Sequence, residues 1–315
     1  MVQYENKIRE TAEQLLKDGK VDMVIGFRKG TVPMMNEPHV ARKPEDVTDL
    51  VWDSNCGINL ANYLTDRKEK IAVVAKGCDS RNIVTHIIEN KIKRDQLVII
   101  GVPCKGMIDR HKVAAAVDKP VENVTEDGDA ITVTGDGFSK TLNKTDVLQD
   151  NCAICVHRNP VIYDSLVGDL VEEQKDVDRY ADVREIEAME PVAKKAYFDN
   201  LYSDCIRCYA CRNACPLCYC PTCFVDESRP QWVGKSPDLM DLKTFHILRA
   251  YHCAGRCTDC GACERACPME IKVRTLTKKL EKDCFELFGW EAGLSLDQRP
   301  PLDAFKVDDP DDFIK

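Results

Sequence analysis

Cysteine is the residue whose number and spacing in this chain point to chemistry, since eighteen of the 315 residues are cysteine. Twelve of them fall within residues 205–267. Two runs in that stretch share the spacing Cys-x2-Cys-x2-Cys-x3-Cys-Pro. Their cysteines are Cys205, Cys208, Cys211 and Cys215 in the first run, and Cys257, Cys260, Cys263 and Cys267 in the second. Three thiolates at this spacing can hold three corners of a 4Fe-4S cube, so each run predicts an iron–sulfur cluster.

The fourth cysteine of each run, which precedes a proline, predicts a crossed arrangement because in two-cluster ferredoxins it binds the other cluster. We assign one cluster to Cys205, Cys208, Cys211 and Cys267, and the other to Cys257, Cys260, Cys263 and Cys215. Structural zinc is the alternative, but a tetrahedral ion is usually held by paired Cys-x2-Cys knuckles and has no use for a third cysteine at this spacing. Backbone amides around Arg207, Tyr209 and Ala210 are expected to point at sulfur.

Four further thiols lie beside these runs, and their number equals the ligand count of one more cluster. A third 4Fe-4S cluster is therefore predicted, with spare thiols as the alternative. Its ligands would be Cys218, Cys220, Cys223 and Cys253.

Two cysteines follow the two clearest predicted strands. Apolar runs over 71–77 and 96–102 predict buried strands, and a helix over 79–90 between them makes the pair parallel. Cys78 and Cys104 each follow one of these strands. The carboxyl ends of parallel strands share one edge of a sheet, where open α/β folds bind ligands. Both thiols are therefore predicted to lie at one site.

Cys152 and Cys155 are predicted to complete that site with two more thiolates for a further 4Fe-4S cluster. A Cys-x2-Cys pair by itself also occurs in thioredoxin-like redox sites, which is the alternative. Cys56 either replaces one of these ligands or is an ordinary buried thiol. Cys284 lies on an apolar helical stripe and is predicted to be a core residue.

Two domains are predicted, residues 1–178 and residues 179–315, because a charged, helix-prone stretch over 176–200 separates two kinds of sequence. The first is predicted as an α/β domain with a parallel sheet and right-handed crossovers. The second is predicted as a cysteine-rich α+β ferredoxin-like domain that carries several clusters. Further predicted elements are a helix over 1–20, a strand over 23–27, a β-hairpin over 122–143, helices over 241–251 and 273–288, and an extended tail rich in proline and aspartate.

Composition excludes several functional classes. The formal net charge of -9 argues against nucleic-acid binding, which needs clustered lysine and arginine. The longest apolar runs are strand-length, far below the ~20 residues of a membrane span. The N-terminus shows no signal or transit sequence, so a cytoplasmic location is expected. In a cytosolic chain, this many cysteines are expected to bind metal rather than form disulfides.

Part of the chain resembles a known family. The matching segments are Lys-Gly-Cys-Asp-Ser-Arg at 76–81, Ile-Ile-Gly-Val-Pro-Cys-Lys-Gly at 99–106, Cys152 and Cys155, and then Asp164 with Gly168 and Asp169. They resemble the β-subunits of deazaflavin-coenzyme-dependent hydrogenases and formate dehydrogenases, over roughly residues 70–170. The resemblance implies that Cys78, Cys104, Cys152 and Cys155 bind a cluster beside a flavin.

The leading hypothesis is an oxygen-sensitive electron-transfer subunit that relays electrons through four 4Fe-4S clusters. Its partners would be catalytic and electron-transfer subunits of a formate dehydrogenase, hydrogenase or heterodisulfide-reductase-type complex. The alternative is a dehydrogenase subunit with bound FAD that oxidises or reduces a deazaflavin or nicotinamide coenzyme. A cluster-bearing scaffold or sensor without redox catalysis is a third hypothesis.

Overall fold

The computed structural model describes residues 2–303, and the predicted extended tail lies outside the described residues. The chain divides into two compact units, with the division between Val177 and Asp178. The strands are β1 (Met23–Lys29), β2 (Asn36–Ala41), β3 (Ile71–Ala75), β4 (Leu97–Gly101), β5 (Asn123–Asp127), β6 (Ala130–Gly135), β7 (Phe138–Asn143) and β8 (Ser165–Leu166). The helices of the first unit are α1 (Val2–Lys17), α2 (Gly77–Ile88), α3 (Arg110–Val117) and α4 (Asp150–Ala153). Those of the second are α5 (Ala181–Glu187), α6 (Pro191–Ser203), α7 (Ala210–Asn213), α8 (Leu239–His252), α9 (Ala262–Arg265) and α10 (Arg274–Phe288).

The main sheet of the first unit has the strand order β2-β1-β3-β4-β8. Strand β2 is antiparallel to β1, while the β1–β3, β3–β4 and β4–β8 pairs are parallel. The predicted parallel pair is confirmed, with Ile71 opposite Leu97 and Ala75 opposite Gly101. All five residues of β3 are buried, which explains its unbroken apolar sequence, since strands of parallel sheets are covered on both faces. The first unit is therefore an α/β fold, as predicted.

Helix α2 begins two residues before the predicted start at residue 79. The carboxylate of Asp79 accepts the backbone amide of Lys76 at 2.9 Å, which caps the helix and fixes its first turn immediately after β3. Cys78 therefore lies within the first turn of a helix and not in a loop.

The predicted hairpin over 122–143 is a three-stranded antiparallel sheet, β5-β6-β7. Its two turns lie at Gly128 and Gly137, whose φ angles of 58° and 69° suit glycine. Ile131 and Val133 are fully buried on one face of β6 and form a small core with Val113 and Val147.

The second unit contains helices and loops, with no strand in residues 178–303. Helices α8 and α10 lie within two residues of their predicted bounds. Left-handed backbone at Arg207, Tyr209 and Asp259, with φ of 54–59°, turns the cysteine runs and is incompatible with a strand at those points. The predicted order of an α/β region followed by a cysteine-rich cluster domain is confirmed.

Among the described residues, no helix has the length and apolar character that crossing a membrane requires.

Candidate metal centres

All eighteen cysteines are free thiols. The sulfurs are therefore available as ligands, and no cystine bridge competes for them. Sixteen of them gather in three places, around each of the two cysteine runs and at one edge of the main sheet, while Cys56 and Cys284 lie elsewhere.

The first cysteine run folds into a tight loop followed by a one-turn helix. Arg207 and Tyr209 adopt left-handed φ angles of 55° and 59°, and α7 begins at the next residue. The amide of Arg207 donates to the Cys205 sulfur and lowers its pKa, although burial raises that pKa by more. The expected amide at Arg207 is confirmed, and a second, from Arg212, reaches Cys211.

Cys267, the last cysteine of the second run, lies in the pocket of the first run. The pocket walls are four thiols and mostly apolar side chains, which fits a 4Fe-4S cluster: thiolate ligands, amide donors and a dry surround. The lining residues are Cys205, Ile206, Arg207, Cys208, Tyr209, Cys211, Phe245, His246, Cys267, Met269, Ile271 and Val273.

The second run repeats the backbone of the first. Asp259 and Gly261 adopt left-handed φ angles of 54° and 70° at the positions of Arg207 and Tyr209, and α9 then begins at Ala262. The amide of Asp259 donates to the Cys257 sulfur. Because the two loops have the same turns, they present their sulfurs in the same way. The second loop therefore fits a 4Fe-4S cluster as the first loop does.

Cys215, from the first run, approaches the second. Cys215 belongs to a small buried cluster against which Cys257, the first cysteine of the second run, also packs. The structure thus brings each fourth cysteine to the opposite run.

The four thiols predicted for a third cluster are only partly brought together. The Cys218 and Cys253 sulfurs lie within 4.8 Å of each other and of Cys215. Cys220 is exposed, and the Cys223 thiol bonds to the Arg212 guanidinium. The structure therefore places Cys218 and Cys253 beside the second run.

Four of the five cysteines of the first unit, Cys78, Cys104, Cys152 and Cys155, lie at the carboxyl edge of the main sheet. Burial raises the pKa of Cys104 to about 11 and the charge of Cys152 adds to the shift. Burial likewise raises the pKa of Cys155 to about 12, with Cys152 and Cys104 adding to it. Thiols this close repel one another as thiolates, and a bound metal cation removes that penalty. Gly106 donates its amide to the Cys104 sulfur at 3.4 Å.

Lys76 is a feature of this edge that the sequence pattern did not reveal. Its ammonium lies 2.8 Å from Asp79, and the two side chains are 2% and 0% exposed. Burial lowers the pKa of Lys76, but Asp79, Cys78 and Cys104 together raise it above the usual value. The edge therefore carries a buried cation next to two thiols. The only sign of this buried cation in the sequence is a lysine that stands between an apolar strand and the dipeptide Gly-Cys.

Gly77 brings the Cys78 turn close to the segment after Cys155. A Cβ at this position would lie 2.2 Å from the carbonyl oxygen of His157 and 3.0 Å from that of Asn159. Gly77→Ala is therefore expected to destabilise the first unit by about 1–3 kcal/mol, as overpacking does, and to lower its iron content. Denaturant unfolding and iron analysis measure both effects.

Gly137→Ala is the control, because nothing lies within 4 Å of the added methyl group. Its only cost is that alanine must adopt the positive φ angle of 69° that glycine has there. That variant should keep its iron. Equal iron contents in the two variants would show that the contact at Gly77 does not position the thiols.

Cys56 and Cys284 differ from the grouped thiols. Cys56 is fully buried, accepts the Asn36 amide at 3.3 Å, and has its pKa raised to about 12 by burial and then by the charge of Asp53. The side chain of Asn36 and the backbone amide of Asp53 both donate to its sulfur, which favours an ordinary buried thiol over a replacement ligand. Cys284 is 7% exposed in α10, which confirms its prediction as a core residue.

Loops that present thiols in this way define an iron–sulfur protein, and residues 201–271 match the family model described as 4Fe-4S dicluster domain. The predicted class, an iron–sulfur electron-transfer subunit, is confirmed by this match together with the relatives that follow.

Two curated relatives align with nearly the whole chain. F420-dependent formate dehydrogenase subunit beta of Methanocaldococcus jannaschii is 26% identical over 91% of this chain and 91% of its own length. F420-dependent formate dehydrogenase 1 subunit beta of Methanococcus maripaludis is 27% identical over 91% of this chain and 90% of its own. The resemblance to this β-subunit family, seen first in residues 70–170, is confirmed along the chain.

Among solved structures, a chain of the F420-reducing [NiFe] hydrogenase complex from Methanosarcina barkeri is similar at 14% identity with a TM-score of 0.38. The match covers 50% of this chain and 59% of that one.

Proposed function

We propose that this chain is the cytoplasmic electron-relay subunit of a formate dehydrogenase-type complex, with four 4Fe-4S clusters. A 4Fe-4S cluster takes up and releases one electron at a time. The chain's own part is to hold the thiolates, to aim backbone amides at them, and to keep water away.

One observation carries the proposal: a cysteine of each run sits with the opposite run. Cys267 lines the pocket of Cys205, Cys208 and Cys211. Crossed ligation is the device by which two-cluster ferredoxins hold two cubes near each other in one small fold. Two clusters held this near each other favour electron transfer from one cluster to the other over storage of the electron on a single cluster.

The partner class follows from the relatives. Both curated relatives are named as β-subunits of formate dehydrogenases. We propose a catalytic formate-oxidising subunit as one partner, and a hydrogenase or a heterodisulfide-reductase-type assembly as the other electron carrier.

A flavin-containing subunit is the second candidate, and the names of the relatives favour it. Both are called F420-dependent, and the deazaflavin coenzyme F420 carries electrons in pairs. Clusters carry them singly, so FAD at the sheet edge near Cys78 and Cys104 would be needed to divide each pair.

Iron and acid-labile sulfide, counted in the full chain purified without air, test the number of clusters. Four clusters require about 16 of each per chain. A value of about 12 would remove one of the two clusters outside the crossed pair, and about 8 would leave the crossed pair alone. Acid extraction of the same sample tests the flavin: one FAD per chain supports the second candidate, and its absence rules that candidate out.

A further inference from the structure

Helix α8, which joins the two cysteine runs in sequence, turns one face to both of them. The buried residues of this face include Phe245, His246, Arg249 and Ala250, and Cys253 follows at the end of the helix. His246 and Arg249 are one turn apart, so they lie on the same side of the helix. Both are polar, and both are 4% exposed. A pair of buried polar residues in this position needs a partner inside the fold.

Arg249 is a cation without a carboxylate partner. Its Nη2 atom donates to the carbonyl oxygen of Cys211 at 3.1 Å, and its Nε atom has no hydrogen-bond acceptor. In residues 2–303 we find no aspartate or glutamate paired with it. Burying an arginine without a counter-ion costs several kcal/mol, so the fold must supply negative charge by other means.

Thiols supply that negative charge. Burial lowers the pKa of Arg249, but the charges of Cys215, Cys263, Cys253 and Cys211 raise it well above the usual value. Cys211 belongs to the first run and Cys263 to the second. Geometry agrees: the guanidinium donates to the Cys211 carbonyl, and Cys253, one turn further along α8, lies within 4.8 Å of Cys215, the cysteine assigned to the second cluster.

His246 contacts one set alone. Its Nε2 atom lies 3.4 Å from the Cys205 sulfur, and the ring stacks on Tyr202 with centroids 4.3 Å apart. Arg249 carries a fixed positive charge, because a guanidinium is not deprotonated in proteins.

We infer that Arg249 is a shared counter-ion of the two cluster sites of the dicluster domain and raises the reduction potentials of both. This inference rests on the proposed function, because it requires that the two cysteine runs hold clusters. One-electron reduction adds one negative charge to a site, and a fixed cation in a low-dielectric interior stabilises the reduced form. Because the guanidinium faces ligands of both runs, removing it must shift both potentials in the same direction.

Arg249→Met tests the inference because it removes the charge and keeps most of the volume. The measurement is a redox titration of the full chain followed by EPR. At the potential where each wild-type cluster is half reduced, the reduced-to-oxidised ratio of both clusters should fall about tenfold, which corresponds to about 59 mV for a one-electron couple. Arg249→Lys, which keeps the charge, should change both ratios less than Arg249→Met does.

Lys243→Met is the matched control on the same helix. It also removes one positive charge, but Lys243 pairs with the carboxylate of Asp199 on α6, whereas Arg249 donates to a cysteine carbonyl. Both ratios should stay at the wild-type value in this variant. An equal fall in Lys243→Met and Arg249→Met would overturn the inference, and so would a shift of only one cluster or of neither.

Arg249→Gln replaces the Met variant if that chain fails to retain iron. Glutamine keeps a donor for the Cys211 carbonyl and lacks the charge, so wild-type potentials in it would overturn the inference. If the proposed function is wrong, the wild-type chain itself will lack the EPR signals of two 4Fe-4S clusters. That result is distinct from unchanged potentials in the Arg249 variants.

Discussion

Replacing Cys267 with alanine is expected to remove the cluster of the first cysteine run, about four iron atoms per chain, and to spare the cluster of its own run. The reason is where its thiol lies. Cys267 belongs to the second run by sequence, yet it lines the pocket of Cys205, Cys208 and Cys211. Its charge also raises the pKa of Cys205, after the larger effect of burial, so these two sulfurs are neighbours. A cube deprived of one of its four thiolates is not retained.

Pairs of substitutions show which cysteines share a cube. Cys211→Ala alone should also cost about four iron atoms, and combining it with Cys267→Ala should cost no more, because both act on one cluster. Cys263→Ala combined with Cys267→Ala should cost about eight, because two clusters are then lost. Iron and sulfide analysis with EPR spin counting gives these numbers directly.

Cys284→Ala is the control, since that thiol is buried in α10 and outside the ligand groups. It should keep the wild-type iron content. The opposite pattern, with Cys263 and Cys267 together costing only four iron atoms, would mean that each run holds its own cluster and that ligation is not crossed.

Features set by residues close together in the chain were predictable from sequence. The strands β3 and β4 follow from unbroken apolar runs, and their parallel pairing follows from the helix between them. The two cysteine runs have a fixed spacing, so their loops and short helices repeat. In each case the determining residues lie within about one element of one another, where local geometry decides the outcome.

Features set by distant contacts were harder to predict. Cys253 lies beside Cys215 and Cys218, more than thirty positions away in sequence, because α8 folds back over the first run. Strand β8 is two residues long, and only its pairing with Ile100 and Gly101 makes it a strand. Neither contact leaves a periodic signal in the sequence.

Buried charges form the third group, and they were missed altogether. A lysine or arginine in a sequence is expected at the surface, since charged residues are seldom fully buried. Lys76, Arg249 and Arg274 depart from that expectation, at 2–6% exposure. Lys76 is two residues from Cys78, but Arg249 and Arg274 reach the cysteine loops only through the fold, which the sequence does not show.

Replacing Arg274 with methionine is expected to lower the free energy of unfolding of the second unit by about 3–5 kcal/mol, the cost of breaking a buried ion pair on one side. Arg274 makes two parallel bonds to the Asp259 carboxylate, at 2.6 and 2.8 Å. It also contacts Glu264, and Lys278 donates to Asp259 at 2.8 Å. Burial alone would raise the pKa of Asp259, but Arg274 and Lys278 hold it well below the usual value.

The same change should loosen the second cluster. Asp259 stands between Cys257 and Cys260 with a left-handed φ of 54°, and the bonds from α10 hold this turn in place. Without them the loop no longer keeps its sulfurs fixed. The cluster of Cys257, Cys260, Cys263 and Cys215 should therefore be released sooner than that of the first run when a chelator is added.

Anaerobic denaturation, followed by far-UV circular dichroism and by the visible absorbance of the clusters, measures both effects. Arg299→Met is the control: its ion pair with Asp303 is exposed at 53% and 34%, and such pairs contribute about 0–1 kcal/mol. If Arg274→Met unfolds and loses iron no faster than Arg299→Met, the charges beneath the second loop do not hold it. If the first cluster is released before the second, the turn at Asp259 is not the point at which α10 acts.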